Sequence, residues 1–307
     1  MEHVAYLAPD GFEDDLAKEL GDRLEKRYGR LMLARARPSP PVAWTANTWL
    51  EPKLIEFESA SDGARKLRSL QRNWAYYPHA NHRRAELIQD KLPHVSAKPI
   101  EFLGRLPTAP LGSWTLLEPN VMLASAVCTS LFPNGEVQFH ESPLAPSRAY
   151  LKLWELFTVH GVRPQPGDRV LDLGSSPGGW TWVLAQLGCQ VLSVDKAPLA
   201  PEVAALPNVE SLKKDAFTLA PESAGPVDWL FSDIICYPER LLELVETWRA
   251  SGLARNFACT IKFQGPTDMK TVARFQAIPG SRVLHLHHNK HELTWINETV
   301  ESRERNE

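Results

Sequence analysis

The stretch Arg169–Asp195, RVLDLGSSPGGWTWVLAQLGCQVLSVD, constrains this chain more than any other. A short apolar run, a Gly-rich turn, an apolar segment of helix length and a second apolar run closed by Asp195 make a strand–loop–helix–strand unit. Gly174, Gly178 and Gly179 permit positive φ and a close backbone approach by a ligand. Pro177 stiffens the turn, and the helix behind it offers unpaired N–H groups at its start. Asp195 ends the second strand, where a carboxylate can accept both hydroxyls of a ribose. The unit therefore predicts a cofactor with an adenosine-like end and leaves NAD and S-adenosylmethionine (SAM) both open.

The surrounding pattern narrows the choice. A helix is expected from Ser147 to Gly161, with Leu151, Trp154, Leu156 and Phe157 as its apolar stripe and Lys152 pointing elsewhere. Strands are expected at 209–213, 227–232, 257–263, 282–287 and 292–296, with helices at 238–251 and 267–277. Such alternation implies right-handed crossovers and a mostly parallel sheet covered on both faces. Only HNKH joins the last two strands, too little for a crossover, so they must be antiparallel. The expected fold is α/β: a Rossmann-like, seven-stranded sheet with a terminal antiparallel hairpin, the layout of class I SAM methyltransferases rather than dehydrogenases. The loop agrees, because Ser176 stands where G-x-G-x-x-G has its second glycine, which disfavours a dinucleotide. SAM needs an open Gly turn such as Gly174–Gly179, an acid for the ribose (Asp195) and a polar contact for adenine. Asp215, after the third strand, suits that last role, or else caps a following helix.

With 307 residues the chain has room for two domains, and the regular pattern starts after ESPLAP, Glu141–Pro146. Residues 1–140 are expected to form an α+β domain and residues 141–307 the α/β domain. In the first part a strand is expected at 3–8, a helix over Phe12–Arg27 and a strand at 30–37. Arg35 and Arg37 would share one face of that strand, either solvated or turned to RNA. A helix at 61–73 groups Arg65, Lys66, Arg68 and Arg72, and NWAYYPHANHRR interleaves aromatic with basic groups. That mixture can stack bases and touch phosphates, or it can plug a small core beneath a charged surface. The net charge is −3, and residues 1–146 hold 17 Lys+Arg against 18 Asp+Glu, the remainder 17 against 19. No bulk positive field draws the chain onto nucleic acid, so RNA contact must be local.

The four cysteines have no C-x-x-C spacing, and acids interrupt the first residues where a signal peptide needs an apolar core. No apolar run reaches membrane-spanning length. A reduced, cytoplasmic protein with neither a membrane segment nor a metal framework is expected.

Four polar residues fall where element ends converge: Lys152 in the helix before the first sheet strand, Asp233 after the fourth strand, Lys262 ending the fifth and Glu292 opening the last. Ligands of open α/β sheets bind outside the carboxyl ends of the strands, which brings Asp233 and Lys262 to the donor. A lysine closing an apolar strand must be desolvated or paired. Neighbouring Lys152 would disfavour a second positive charge and help Lys262 act as a base, while Asp233 and Glu292 orient the amines.

SRAYLKLWE, LDLGSSPGGWT, SVD, KKD, FSD, TIKF and HELT, in this order, resemble the FtsJ/RrmJ-like ribose 2′-O-methyltransferases over about 147–296. The resemblance implies a Lys152–Asp233–Lys262–Glu292 tetrad, with Lys262 deprotonating or steering a ribose 2′-hydroxyl towards the SAM methyl. It also implies SAM contacts from Ser147, Gly174, Ser176, Pro177, Gly178, Gly179, Trp180, Asp195, Asp215 and Asp233. APSRAYLKL, and IICYPER in place of an M-A-P-N tail, resemble the RlmM branch, whose members modify a cytidine ribose of 23S-type large-subunit rRNA. AYLAPDGFEDDLAKEL and SLQRNWAYYP are similar to the RNA-binding region of that branch, here a reduced THUMP-like domain. Three other readings stand beside this one: a non-catalytic RNA- or SAM-binding protein on the same fold, an NAD-dependent oxidoreductase, and a metal hydrolase built on His285, His287, His288 and His291.

Overall fold

The computed structural model describes residues 3–299. The chain divides into two compact units, Met1–His140 and Glu141–Glu307.

Among the described residues, the first unit holds β1 (His3–Leu7), α1 (Glu13–Leu20), β2 (Leu24–Tyr28), β3 (Leu31–Arg35), β4 (Asn47–Trp49), β5 (Lys53–Glu56), α2 (Ala60–Leu70), β6 (Trp74–Tyr76), α3 (His82–Gln89), β7 (Gly112–Glu118) and β8 (Val121–Ser125). They make two four-stranded sheets, ordered β2-β3-β1-β4 and β5-β8-β7-β6. The helix expected over Phe12–Arg27 stops at Leu20, because Gly21 takes φ 52°, ψ −131°. Leu24–Tyr28 instead pairs antiparallel with β3 across a tight turn at Gly29. There the strand partner overrides the helical pattern of the sequence.

Two aromatics of the aromatic–basic stretch, Trp74 and Tyr77, face the core. Trp74 is fully buried and its Nε1 donates to the carbonyls of Leu67 and Gln71. The Tyr77 hydroxyl accepts from Arg30 N and donates to Tyr28 O. Tyr76 packs on Trp114, with ring centroids 4.9 Å apart. Several basic groups of the unit have partners of their own. Arg65 and Lys66 pair with Asp62, Arg68 donates to Lys91 O, and Arg35 pairs with Glu25.

In the second unit the order is α4 (Tyr150–Val159), β9 (Arg169–Leu173), α5 (Gly179–Gln186), β10 (Gln190–Asp195), α6 (Pro201–Ala204), β11 (Val209–Lys213), α7 (Pro221–Ala224), β12 (Val227–Ser232), α8 (Pro238–Ser251), β13 (Ala254–Lys262), α9 (Met269–Ala277), β14 (Ser281–Leu284) and β15 (Glu292–Asn297). Among the described residues they build one seven-stranded sheet, β11-β10-β9-β12-β13-β15-β14. Strands β9 to β13 run parallel, and β15 lies antiparallel between β13 and β14. The order reverses between β9 and β12, which opens a crevice at their carboxyl ends. Central β12, with burial on both faces, reads VDWLFS without alternation, as a covered parallel strand does.

Trp229, Phe231, Phe257 and Trp295 fill the sheet faces, each contributing about 1.5–3 kcal/mol of transfer free energy for an aromatic of Phe size or larger. Helix α4 departs from the expected stripe. Tyr150 to Thr158 are all buried, Lys152 and Glu155 included, so two charges in an apolar helix need partners from elsewhere. All four cysteines are unpaired thiols. No described helix is long and apolar enough to cross a membrane.

Candidate active site

The loop after β9 shapes the floor of a cleft of about 430 Å³, a size within the range of small-molecule sites, about 300–1,000 Å³. Gly174 has φ +75°, and a Cβ there would lie 2.3 Å from Ile234 Cγ1. Only glycine permits both this conformation and this approach. The Ser176–Pro177 peptide is cis. Gly178, at φ 113°, is the N-cap of α5, and Gly179 lies against Ser147, whose Oγ would be 2.4 Å from an added Cβ.

Asp195 closes β10 with both oxygens anchored: Oδ2 accepts from Ser176 N at 3.0 Å and Oδ1 from Ala197 N at 2.9 Å. A carboxylate has about four acceptor positions, so two remain for a ligand. Asp215 takes the capping role that the sequence offered as its second reading. It caps the turn Ala216–Thr218 by accepting from Phe217 N, and it also lines the cleft. Its hydrogen bond from Lys196 holds its carboxyl below the ordinary value. Ser147 Oγ is buried and lacks a hydrogen-bond partner among the described residues. An orphaned buried hydroxyl costs about 1–3 kcal/mol, and this one borders the cleft. Anchored carboxylates, an open glycine turn and an unsatisfied hydroxyl fit a polar, adenosine-bearing ligand such as SAM. Gly178, Gly179 and Trp180 stand behind the lining. The Trp180 Nε1 donates to Ala149 O, and its ring lies 5.8 Å beneath the Lys152 ammonium.

The four chemistry-bearing residues come together in one cluster. Asp233 Oδ1 is 2.7 Å from Lys152 Nζ and 3.1 Å from Lys262 Nζ. Lys262 Nζ also donates to the Asp233 carbonyl at 2.6 Å, and Lys152 Nζ donates to Glu292 Oε1 at 3.0 Å. Register brings Glu292 there, since β15 pairs with β13 so that Glu292 faces Lys262. The charges sum to zero, and a carboxylate oxygen lies between the two amines. Burial pulls the Lys152 ammonium down, but Asp233 and Glu292 outweigh it and hold it above the ordinary lysine value. Lys262 and Asp233 line the cleft, whereas Lys152 and Glu292 do not. One lysine therefore faces the ligand space, and the other is a fixed cation behind it. Lys262 Nζ spends two positions on Asp233 and leaves one for a third partner, an N–H in the ammonium and a lone pair in the neutral amine.

Supporting residues escaped the sequence reading. Glu155, one turn beyond Lys152 on α4, accepts from His287 N (2.7 Å), His288 N (3.0 Å) and His288 Nδ1 (2.7 Å). Burial raises the Glu155 carboxyl, but His288, His160 and the His287 amide reverse this and hold it below the ordinary value. The signal was a lone glutamate in the apolar run YLKLWELF. Beneath the glycine loop, Thr181 Oγ1 joins Asp172 Oδ2 (2.6 Å) to Ser193 Oγ (3.4 Å), which meets Ser175 Oγ (2.6 Å). Burial, with added repulsion from Asp233 and Asp195, pushes Asp172 up to about 7 against the Thr181 hydrogen bond. Arg240 lies 3.8 Å over the Phe217 ring at the cleft wall.

The histidines are occupied in hairpin structure: His285 with Lys290 O, His288 with Glu155 and His291 with Thr267. Among the described residues no group of three or more His, Cys, Asp or Glu is placed to hold a metal ion.

Residues 145–262 match the FtsJ-like methyltransferase family. The ribosomal RNA large subunit methyltransferase M of Halorhodospira halophila (strain DSM 244 / SL1) is 34% identical over 184 residues, covering 57% of this chain and 53% of that protein. A protein of the same name from Xanthomonas oryzae pv. oryzae (strain PXO99A) is 35% identical over 209 residues, covering 66% of this chain and 56% of its own. One from Laribacter hongkongensis (strain HLHK9) is 39% identical over 137 residues, covering 43% and 38%. The chain spans about half the length of the curated relatives it matches.

Proposed function

From the premise that residues 145–262 form an FtsJ-like methyltransferase domain, we propose that the protein methylates a ribose 2′-hydroxyl of RNA with SAM as donor. Large-subunit rRNA is the proposed substrate, after the relatives named ribosomal RNA large subunit methyltransferase M. The observation that carries the reading is the Asp233 oxygen shared by two lysines, one of them at the cleft. When bound, SAM supplies an electrophilic methyl group on a sulfonium.

The chain's own contribution is positioning and proton management. Lys262 Nζ, fixed twice by Asp233, is set to take the proton of the acceptor hydroxyl or to steer its lone pair. Lys152, locked between Asp233 and Glu292, holds the Asp233 carboxylate in place and offsets its charge. Asp195 and Asp215 are offered to the ribose and adenine ends, and Ser147 to a polar group of the donor. Gly174, Ser176, Pro177, Gly178 and Gly179 shape the turn, with Trp180 packed beneath Lys152. A positioned general base contributes about 10²–10⁴-fold, and orientation of donor and acceptor contributes further.

The N-terminal unit is assigned RNA binding as a reduced THUMP-like domain. The match to the Xanthomonas protein supports this, because it covers more of the chain than the second unit holds.

The test compares wild type and Lys262→Ala. Calorimetry should show SAM binding retained, while transfer of labelled methyl to undermethylated rRNA falls at least about 100-fold. Near-wild-type turnover by the variant sinks the assignment.

A further inference from the structure

In the loop Ile234–Tyr237, directly after Asp233, burial alternates. Ile234 and Cys236 are 9% and 6% exposed, whereas Ile235 and Tyr237 are 77% and 64% exposed. The two inward residues pin the loop. Its far end is fixed by Pro238 in the first turn of α8 and by the Tyr237 carbonyl, which accepts from Arg240 N and Leu241 N. The loop start is held through the Asp233 carbonyl on Lys262. An aliphatic and an aromatic side chain are thus held in solvent on an anchored backbone, and Ile235 lines the cleft beside Lys262. The Tyr237 ring and hydroxyl have no partner among the described residues. An exposed Ile235 on the cleft lining and an exposed Tyr237 two residues beyond it, on a chain of net charge −3, favour a flat and partly apolar ligand over simple phosphate attraction.

We infer that Tyr237, with Ile235 beside it, is a stacking platform for the base of the nucleotide whose ribose is methylated. This rests on the function proposed above. A ribose held at Lys262 carries its base about one sugar's width away, and single-stranded RNA is bound by stacking unpaired bases on aromatic faces. Tyr237 is a substrate-positioning residue, since it binds a part of the acceptor remote from the reacting oxygen. Stacking of that kind is equally strong before and during reaction, so it lowers KM more than it raises kcat.

The experiment measures SAM affinity by calorimetry and methyl transfer to large-subunit rRNA from a strain lacking the gene, for wild type, Tyr237→Ala, Tyr237→Phe and Ile235→Ser. Tyr237→Ala should raise KM for the rRNA about 5- to 100-fold, the equivalent of one lost base stack. SAM affinity should stay within about twofold, because the ring lies outside the donor contacts, and Tyr237→Phe should restore most of the loss. Ile235→Ser should show a smaller rise in KM. An unchanged KM in Tyr237→Ala, on rRNA that the wild type methylates, overturns the platform. So does a loss confined to SAM binding, or a self-association in solution that Tyr237→Ala abolishes, which would make the ring a contact between copies. No transfer to ribose by the wild type overturns the function itself, and the platform with it.

Discussion

Lys152 Nζ lies 3.0 Å from Glu292 Oε1, across 140 positions of chain. The contact has a brace, because Glu155 on the same helix clasps the backbone of His287 and His288 just before β15. Helix α4 therefore grips the terminal hairpin at two points one turn apart, and the outer grip sets where Glu292 stands.

Glu155→Gln should consequently destabilise the protein by about 3 kcal/mol, since three donors lose their shared anion in a buried place. The pH dependence has a definite sign. Glu155 is held below its ordinary value of 4.5, so its stabilising effect is present above that pH and is lost as pH falls through the folded value. Chemical denaturation between pH 3 and pH 7 should show the wild type losing its advantage over Glu155→Gln on acidification.

Asp172 should behave in the opposite sense. Its folded carboxyl titrates at about 7 against an ordinary 3.8, so the folded state holds the proton longer than the unfolded chain does. Its contribution is fully present below pH 3.8 and is lost as pH rises through about 7. Asp172→Asn removes the titration and should gain stability relative to wild type across that window, by up to about 4 kcal/mol at 1.36 kcal/mol per unit. Thermal melts at several pH values check the slope, whatever fixed cost the amide adds.

Asp233→Asn should lower stability by about 3 kcal/mol, the lower end for removing one partner of a buried pair. Methyl transfer should fall at least about 100-fold. Lys262 keeps its bond to the Asp233 carbonyl, so SAM affinity should fall much less than turnover. Single-turnover kinetics with a parallel calorimetric titration separate the two effects.

Gly174→Ala should both strain the backbone, by about 1–3 kcal/mol at positive φ, and push on Ile234, whose Cγ1 would be 2.3 Å from the new carbon. Weaker SAM binding and a lower melting temperature are expected. Combined with Ile234→Ala, the loss should be smaller than the sum of the single losses, because one clash is shared. Equal additivity would place the damage in the backbone alone.

Much of the second unit was legible because parallel strands buried on both faces carry long apolar runs, and their ends are marked by Asp195, Asp233 and Lys262. The short link before Glu292 revealed the antiparallel strand for a simple reason of reach. Less could be read where local pattern competes with tertiary partners. Leu24–Tyr28 has helical periodicity yet is a strand, because Gly21 breaks the helix and β3 supplies a ladder. Trp74 and Tyr77 have the composition of an RNA platform, but only the fold shows that they face inward. Glu155 and the chain from Asp172 to Ser175 stayed hidden because hydrogen-bond partners distant in sequence have no periodicity to betray them.

The placement of β15 between β13 and β14, both of which precede it in the chain, carries a consequence for synthesis. A ribosome makes Lys152, Asp233 and Lys262 first, and domains fold as units while they emerge. The nascent chain can lay down β9 to β13 and still leave the central gap of the sheet edge open. Lys152 then sits without its second carboxylate until the hairpin slots home. Completion of the four-residue cluster is thus a late event in the life of each molecule, and a chain stalled before Glu292 would hold the cleft without its last carboxylate.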